Sequence, residues 1–246
     1  MKKVVFKNKD EMGKAAAASA AEKISVTIKK NDEANIILAT GTSQFGVLEN
    51  LVKSEGIDWS KVIMFHLDEY IGLGQEHPAS FRKYLKERFV KRVRTLKAVH
   101  LINGDAEDPQ AECKRLGEII AVHPIDVALV GIGENGHLAF NDPPADFETQ
   151  QPFIIVKLNE TCRKQQLDEG WFENIDDVPK SAISMSVRQI MKSDWIIASV
   201  SRRRKAQAVK CAIEGNVSNM CPASILQEHK NCQVYLDEEA ASELST

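Results

Sequence analysis

The sequence predicts an α/β fold built on a mostly parallel sheet, and three observations carry that prediction. Apolar runs rich in β-branched residues recur along the chain, among them Asn35-Ile36-Ile37-Leu38-Ala39, Lys61 to Leu67 and Val127-Ala128-Leu129-Val130. Between them lie segments with apolar residues at helical spacing, and such alternation favours parallel pairing through right-handed crossovers. The runs also stop at glycine or acidic clusters, and ligands of open α/β sheets bind beyond the carboxyl ends of strands.

Lys3 to Lys7 reads as a first strand, and the alanine-rich segment Glu11 to Lys29 as a helix ended by Asn31-Asp32-Glu33. After the strand Asn35 to Ala39, Thr40-Gly41-Thr42-Ser43-Gln44 turns into a helix running towards Ser54. Gly41, Thr42 and Ser43 are a candidate anion site, because backbone N–H and side-chain O–H groups gather at such a turn. An ordinary Thr or Ser N-cap explains the same residues. The strand Lys61 to Leu67 delivers Asp68-Glu69-Tyr70 to its carboxyl end. Adjacent residues of an extended chain face opposite ways, so one of Asp68 and Glu69 is a candidate base and the other a structural acid. His77-Pro78-Ala79-Ser80 opens a helix through about Arg94, with Ser80 as a contact or a cap. A turn at Leu101 to Ala106 and a helix from Asp108 to Ala121 lead to the central strand Val127 to Val130.

That strand ends in Gly131-Ile132-Gly133-Glu134-Asn135-Gly136-His137, whose glycines have the spacing of a dinucleotide fingerprint. The fingerprint requires a helix to open at the third glycine, whereas Asn141-Asp142-Pro143-Pro144 follows too closely for one. The stretch is therefore a loop that brings Asn135, His137 and Asp142 to a strand end.

Beyond Pro144, Phe153 to Leu158 and Ile183 to Val187 read as strands. Between them, Asn159 to Pro179 is polar but carries Trp171-Phe172, the pattern of a lid over a ligand or of a surface helix with an apolar anchor. Trp195 to Val200 is a further strand, followed by the basic run Arg202-Arg203-Arg204-Lys205 and a helix to Glu214. Three of those charges are expected on a solvated face and one at the site. Pro222 to Gln227 reads as a short helix and Gln233 to Leu236 as the last strand. No repeat or linker interrupts the chain, so residues 1–246 are expected to form one domain with a lid at about 159–179.

Composition narrows the function. A chain of 246 residues with 43% hydrophobic content can bury a sizeable core. No apolar run approaches the roughly 20 residues of a bilayer span, and the start lacks a signal-peptide core, so no membrane partner and a cytoplasmic location are expected. A formal net charge of -3 gives no global field for nucleic acid. Cys113, Cys162, Cys211, Cys221 and Cys232 are widely spaced, which suits free thiols better than a metal or disulfide framework.

Three separated motifs, His66-Leu67-Asp68-Glu69-Tyr70, Gly131 to His137 and Phe140-Asn141-Asp142-Pro143, together resemble the glucosamine-6-phosphate deaminase/isomerase family. The resemblance runs nearly the whole chain in order. It implies a modified doubly wound, Rossmann-like α/β domain with helices on both faces, and conversion of an amino-sugar phosphate to fructose 6-phosphate and ammonia without cofactor or metal. Asp68 then falls on the proton-shuttling carboxylate, His137 on the ring-opening histidine, and Asn135 and Asp142 on its two partner positions. Arg163 and Lys205 fall on the phosphate-binding cations, beside Gly41, Thr42 and Ser43.

This chain departs from the family pattern in having Asn135 where many members carry an acid and Asp142 where they carry Glu. The stretch Ala145 to Val156 lacks the paired basic residues that bind an allosteric N-acetyl sugar phosphate in hexameric members. The implied partner is a small amino-sugar phosphate, with homo-oligomer formation left open. Galactosamine 6-phosphate is the alternative substrate, since one inverted hydroxyl is decided by one or two hydrogen bonds. A 6-phosphogluconolactonase or a sugar-phosphate sensor fits less well, because Phe140 to Pro143, Asp68 and His137 are all present.

Overall fold

In the computed structural model, which describes residues 1–93 and 95–245, the chain builds two sheets. β1 (Lys2–Phe6), β2 (Ala34–Leu38) and β3 (Val62–His66) are followed by β4 (Asp68–Tyr70), β5 (Ala98–His100) and β6 (Val127–Val130). β7 (Phe153–Lys157), β8 (Ser181–Met185), β9 (Trp195–Val200) and β10 (Cys232–Asp237) complete the set. Seven strands pair in parallel in the order β1-β10-β9-β6-β2-β3-β5.

Helices cover both faces of this sheet, which is why β2, β3 and β6 are buried at every position and show no polar alternation. Alternate residues of β6 go to opposite sides: Val127 and Leu129 pack with α1 (Lys9–Asn31) and α2 (Phe45–Leu51). Ala128 and Val130 pack with α4 (Pro109–Ala121) and α7 (Ala206–Glu214). The alanines of α1 allow close approach, and a Cβ on Gly13 would lie 3.0 Å from the backbone of Gly46.

β4, β8 and β7 form a second sheet, antiparallel and in that order, with Asp68 opposite Ser184 and Tyr70 opposite Ala182. The alternation read from the sequence does not extend to these strands. Leu67 carries the chain from one sheet to the other, and Met185 N–H donates to its carbonyl at 2.9 Å. α5 (Glu160–Asp168) lies between β7 and β8, and α6 (Val187–Ile190), capped by Ser186, begins at Val187 where a strand was expected.

The helix expected from His77 is shorter than its pattern suggests: α3 (Phe81–Leu85) passes into a single π turn at Lys86–Val90. Arg94, its expected end, lies outside the described residues. Gly41-Thr42-Ser43 opens a 3-10 turn, Thr42–Gln44, ahead of α2, which stops at Leu51 rather than Ser54. No helix is long and apolar enough to cross a membrane among the described residues.

Candidate active site

At the carboxyl ends of β2, β6 and β9 lies a cleft, partly open to solvent, whose wall mixes backbone, hydroxyl, carboxylate and cationic groups. Gly41, Thr42, Ser43, Asp68, His137 and Lys205 all line it, although they come from four separated segments.

Asp68 and Glu69 divide as adjacent strand residues must. Asp68 lines the cavity, and among the described residues no protein group donates a hydrogen bond to its carboxylate. Burial, reinforced by the charge of Glu69, pushes the Asp68 carboxyl up to about 8. Glu69 turns the other way and accepts from the backbone N–H groups of Tyr70, Phe81 and Arg82 and from the Ser80 hydroxyl. Burial raises the Glu69 carboxyl, and these four donors oppose the rise. Ser80 also accepts from Lys83 N–H at 3.4 Å, so it caps α3 and ties it to β4 without lining the cavity. Gly104 completes this anchorage, because any Cβ there would meet the Tyr70 carbonyl at 2.2 Å.

The loop after β6 is built around a close approach. A Cβ on Gly133 would lie 2.1 Å from His137 Cε1, so only glycine lets the imidazole lie flat against the turn. Gly136, at φ 81°, reverses the chain between them, and Gly133 N–H donates to the His137 carbonyl at 3.0 Å. His137 Nδ1 lies 3.3 Å from Asp142 Oδ1. Burial acts to raise the Asp142 carboxyl, but His137, the Asn135 amide and the Asn159 N–H outweigh it and hold the group below the usual carboxylate range.

Asn135 does not orient the imidazole directly. Its Oδ1 accepts from the His137 backbone N–H at 3.1 Å, and its Nδ2 donates to Asp142 Oδ1 at 2.9 Å. Of these two side chains, Asp142 is the one that approaches a ring nitrogen. The reason is local: with Gly136 turning the chain, the Asn135 side chain folds back on the loop as an Asx-type brace.

The cations sit in different surroundings. Lys205 is buried on the cavity wall, and desolvation lowers its pKa while nearby Glu169 works in the opposite direction. Arg204, expected on a solvated face, pairs with Glu134 at 3.0 Å and Glu169 at 3.1 Å. Arg163 is absent from the cavity lining: its guanidinium donates to the carbonyls of Val178, at 3.2 Å, and Ile175. Its guanidinium thus ties α5 to the later part of the 159–179 excursion.

That excursion borders the cavity and is anchored by its aromatics. Trp171 packs edge-on to Phe45 with centroids 6.4 Å apart, and Phe172 packs edge-on to Tyr70 at 5.6 Å. Its contribution to the site is Gln165, Gln166 and Glu169, three residues that sequence reasoning missed. Polar residues on a polar segment give no signal; only the clustering of Gln165, Gln166 and Glu169 at the carboxyl end of α5 could have pointed to them.

His137, Asp142 and the buried thiol of Cys162 place ligand-type atoms within 4.8 Å of one another. Both oxygens of Asp142 already accept N–H donors, Asn135 on one and Asn159 on the other. Burial raises the Cys162 thiol well above its usual range, so it stands as a neutral packing group.

Residues 7–235 match the family model described as glucosamine-6-phosphate isomerases/6-phosphogluconolactonase. The chain is 35% identical to glucosamine-6-phosphate deaminase 1 of Bacillus subtilis, with 98% of this chain and 99% of the relative covered. It is 38% identical to a glucosamine-6-phosphate deaminase of Listeria monocytogenes, covering 93% and 95%. A solved structure described as a monomeric glucosamine-6-phosphate deaminase superposes with a TM-score of 0.89 at 33% identity, over 99% of this chain and 100% of that one. A 6-phosphogluconolactonase from Trypanosoma brucei shares the fold, with a TM-score of 0.81 at 16% identity over 99% and 98%.

Proposed function

We propose that this chain, which belongs to the glucosamine-6-phosphate isomerase/6-phosphogluconolactonase family, is an enzyme that isomerises and deaminates glucosamine 6-phosphate to fructose 6-phosphate and ammonia. The observation that carries the proposal is the convergence, in one cavity, of an Asp68 carboxylate free of protein donors, His137 with Asp142 behind it, and Lys205.

The chemistry follows from what each group can do. His137, held by Asp142, moves a proton between the anomeric hydroxyl and the ring oxygen, which opens the sugar. Asp68 removes the C2 proton of the open chain and returns it to C1. The enolamine formed in between becomes a C2 imine, and water hydrolyses that imine to the ketone and ammonia. The high Asp68 pKa suits a group that must both take and give a proton near neutrality. A substrate ammonium at C2 favours the ionised carboxylate, so binding itself prepares the base.

Lys205, with the Thr42 and Ser43 hydroxyls and the backbone of Gly41, forms the phosphate end of the cavity. Arg163 is left out of that set because its guanidinium is engaged elsewhere. All of these groups come from one chain, so a single chain is read as the catalytic unit. The preference for glucosamine over galactosamine 6-phosphate rests on the names of the relatives.

The test is ammonia release and ketose formation measured separately with glucosamine 6-phosphate and galactosamine 6-phosphate, beside a 6-phosphogluconolactone hydrolysis control. Ammonia from glucosamine 6-phosphate is the expected result. Lactone hydrolysis without ammonia from either amino sugar would reject the proposal.

A further inference from the structure

The polar residues lining the cavity sort by what already engages them. The Gln44 nitrogen donates to the Ser199 hydroxyl at 2.9 Å and the Val130 carbonyl at 3.2 Å, and its oxygen has no partner but is sealed from solvent. Gln165 is engaged at both ends: its oxygen accepts from Glu134 N–H at 3.0 Å, and its nitrogen donates to Glu169 at 3.1 Å. Glu169 in turn accepts from Arg204 and the Trp171 indole. Asp68, His137 and Lys205 have roles in the proposed reaction.

Gln166 is different. It is only 5% exposed and lines the cavity, yet among the described residues its side-chain amide makes no hydrogen bond to protein. Its amide atoms are not sealed in protein, so they stay open to whatever occupies the cavity. Its neighbour Gln165 shows that the same helix can engage such a group when it faces the protein.

The substrate leaves a matching gap. With C1 and C2 at Asp68, the ring oxygen and anomeric hydroxyl at His137, and the C6 phosphate at Lys205, none of these three side chains is left for the C3 and C4 hydroxyls. A hydroxyl donates and accepts, and a carboxamide offers both an oxygen and an N–H₂ group. Being neutral, it recognises hydroxyls without drawing the substrate ammonium away from Asp68.

We infer that Gln166 is a specificity-determining residue, which hydrogen-bonds the C3–C4 hydroxyls of the sugar phosphate and reads the configuration at C4. The inference rests on the deaminase reading of the site. It is tested by kcat/KM for ammonia release from glucosamine 6-phosphate and galactosamine 6-phosphate, in the wild type and in Gln166→Ala and Gln166→Met. The methionine variant fills the same space without polar atoms, and so keeps the test valid if the alanine variant folds poorly. Competitive inhibition by inorganic phosphate is measured in parallel.

The expected result is a fall of at least about tenfold in epimer discrimination, since loss of a hydrogen bond of about 1.4 kcal/mol is a factor of ten. Inhibition by phosphate should stay within about twofold, because Lys205 is untouched. Unchanged discrimination in a folded Gln166→Met would overturn the inference while leaving the deaminase reading intact. A wild type that releases ammonia from neither epimer would instead reject that reading and the inference with it.

Discussion

The backbone N–H of Asn159 donates to Asp142 Oδ2 at 2.9 Å, while the other oxygen of the same carboxylate lies 3.3 Å from His137 Nδ1. Asn159 is also the N-cap of α5, its side chain accepting from Cys162 N–H at 2.8 Å. One carboxylate therefore faces the imidazole and holds the first residue of the segment that borders the cavity. Asp142→Ala should lower kcat by about 10²–10⁴-fold, the usual worth of an acid–base group. It should also speed amide hydrogen exchange at 159–163. Asp142→Asn, which keeps an acceptor for Asn159, should lose activity with little change in exchange, and equal exchange in the two variants would separate imidazole from lid.

Burial gives Asp68 a pH signature. Its folded pKa of about 8 lies above the ordinary 3.8, so the native state holds a proton that the unfolded chain has released between those values. The stability this contributes is fully present below about pH 4 and is lost as pH rises through about 8. Asp68→Asn should therefore leave the thermal midpoint unchanged near pH 4. At pH 9 it should raise it by about 2–4 °C for each kcal/mol of relief. The same variant should abolish proton exchange at C2, and kcat/KM of the wild type should climb with pH through about 8.

Gly133 answers to geometry alone. Gly133→Ala would drive a Cβ into the His137 ring, which must leave its place on the loop. Loss of at least about 10²-fold in kcat is expected, with circular dichroism close to wild type because the strands and helices are untouched. Normal turnover in this variant would remove His137 from its role.

Lys205 and Arg163 should behave oppositely. Lys205→Ala removes the buried cation of the cavity, so KM for the sugar phosphate should rise by at least about tenfold, as expected for a charge-assisted hydrogen bond of roughly 1.5–3 kcal/mol. Arg163→Ala removes contacts to Ile175 and Val178 only, so it should lower stability by about 1 kcal/mol and leave phosphate inhibition unchanged. A large rise in the phosphate inhibition constant of Arg163→Ala would return that residue to the site.

The stretch 145–156 carries Asp146 and Glu148 and no basic residue, which disfavours an anionic effector. Half-saturation for glucosamine 6-phosphate should stay constant on addition of N-acetylglucosamine 6-phosphate. A clear drop in steady-state titrations would show an effector site elsewhere.

What the sequence determined by itself are the features set by local chemistry. Unbroken apolar runs such as Ile36 to Leu38 mark strands covered on both faces, and the prolines after Asp142 forbid a helix at Gly136. The alternation of Asp68 and Glu69 follows from the period of a strand. The three motifs carried the family, and with it Asp68, His137 and Lys205 at the cavity. Tertiary structure alone decided the rest. β4, β7 and β8 pair antiparallel because Leu67 leaves one sheet for another, a long-range choice that no local pattern records. Asn135 reaches a backbone N–H instead of the ring, Arg163 turns to its own carbonyls, and Gln166 is left unpartnered on the cavity wall. Each outcome depends on which way a side chain points after the chain has turned. A polar residue on a polar segment looks the same in sequence whether it meets water, backbone or substrate.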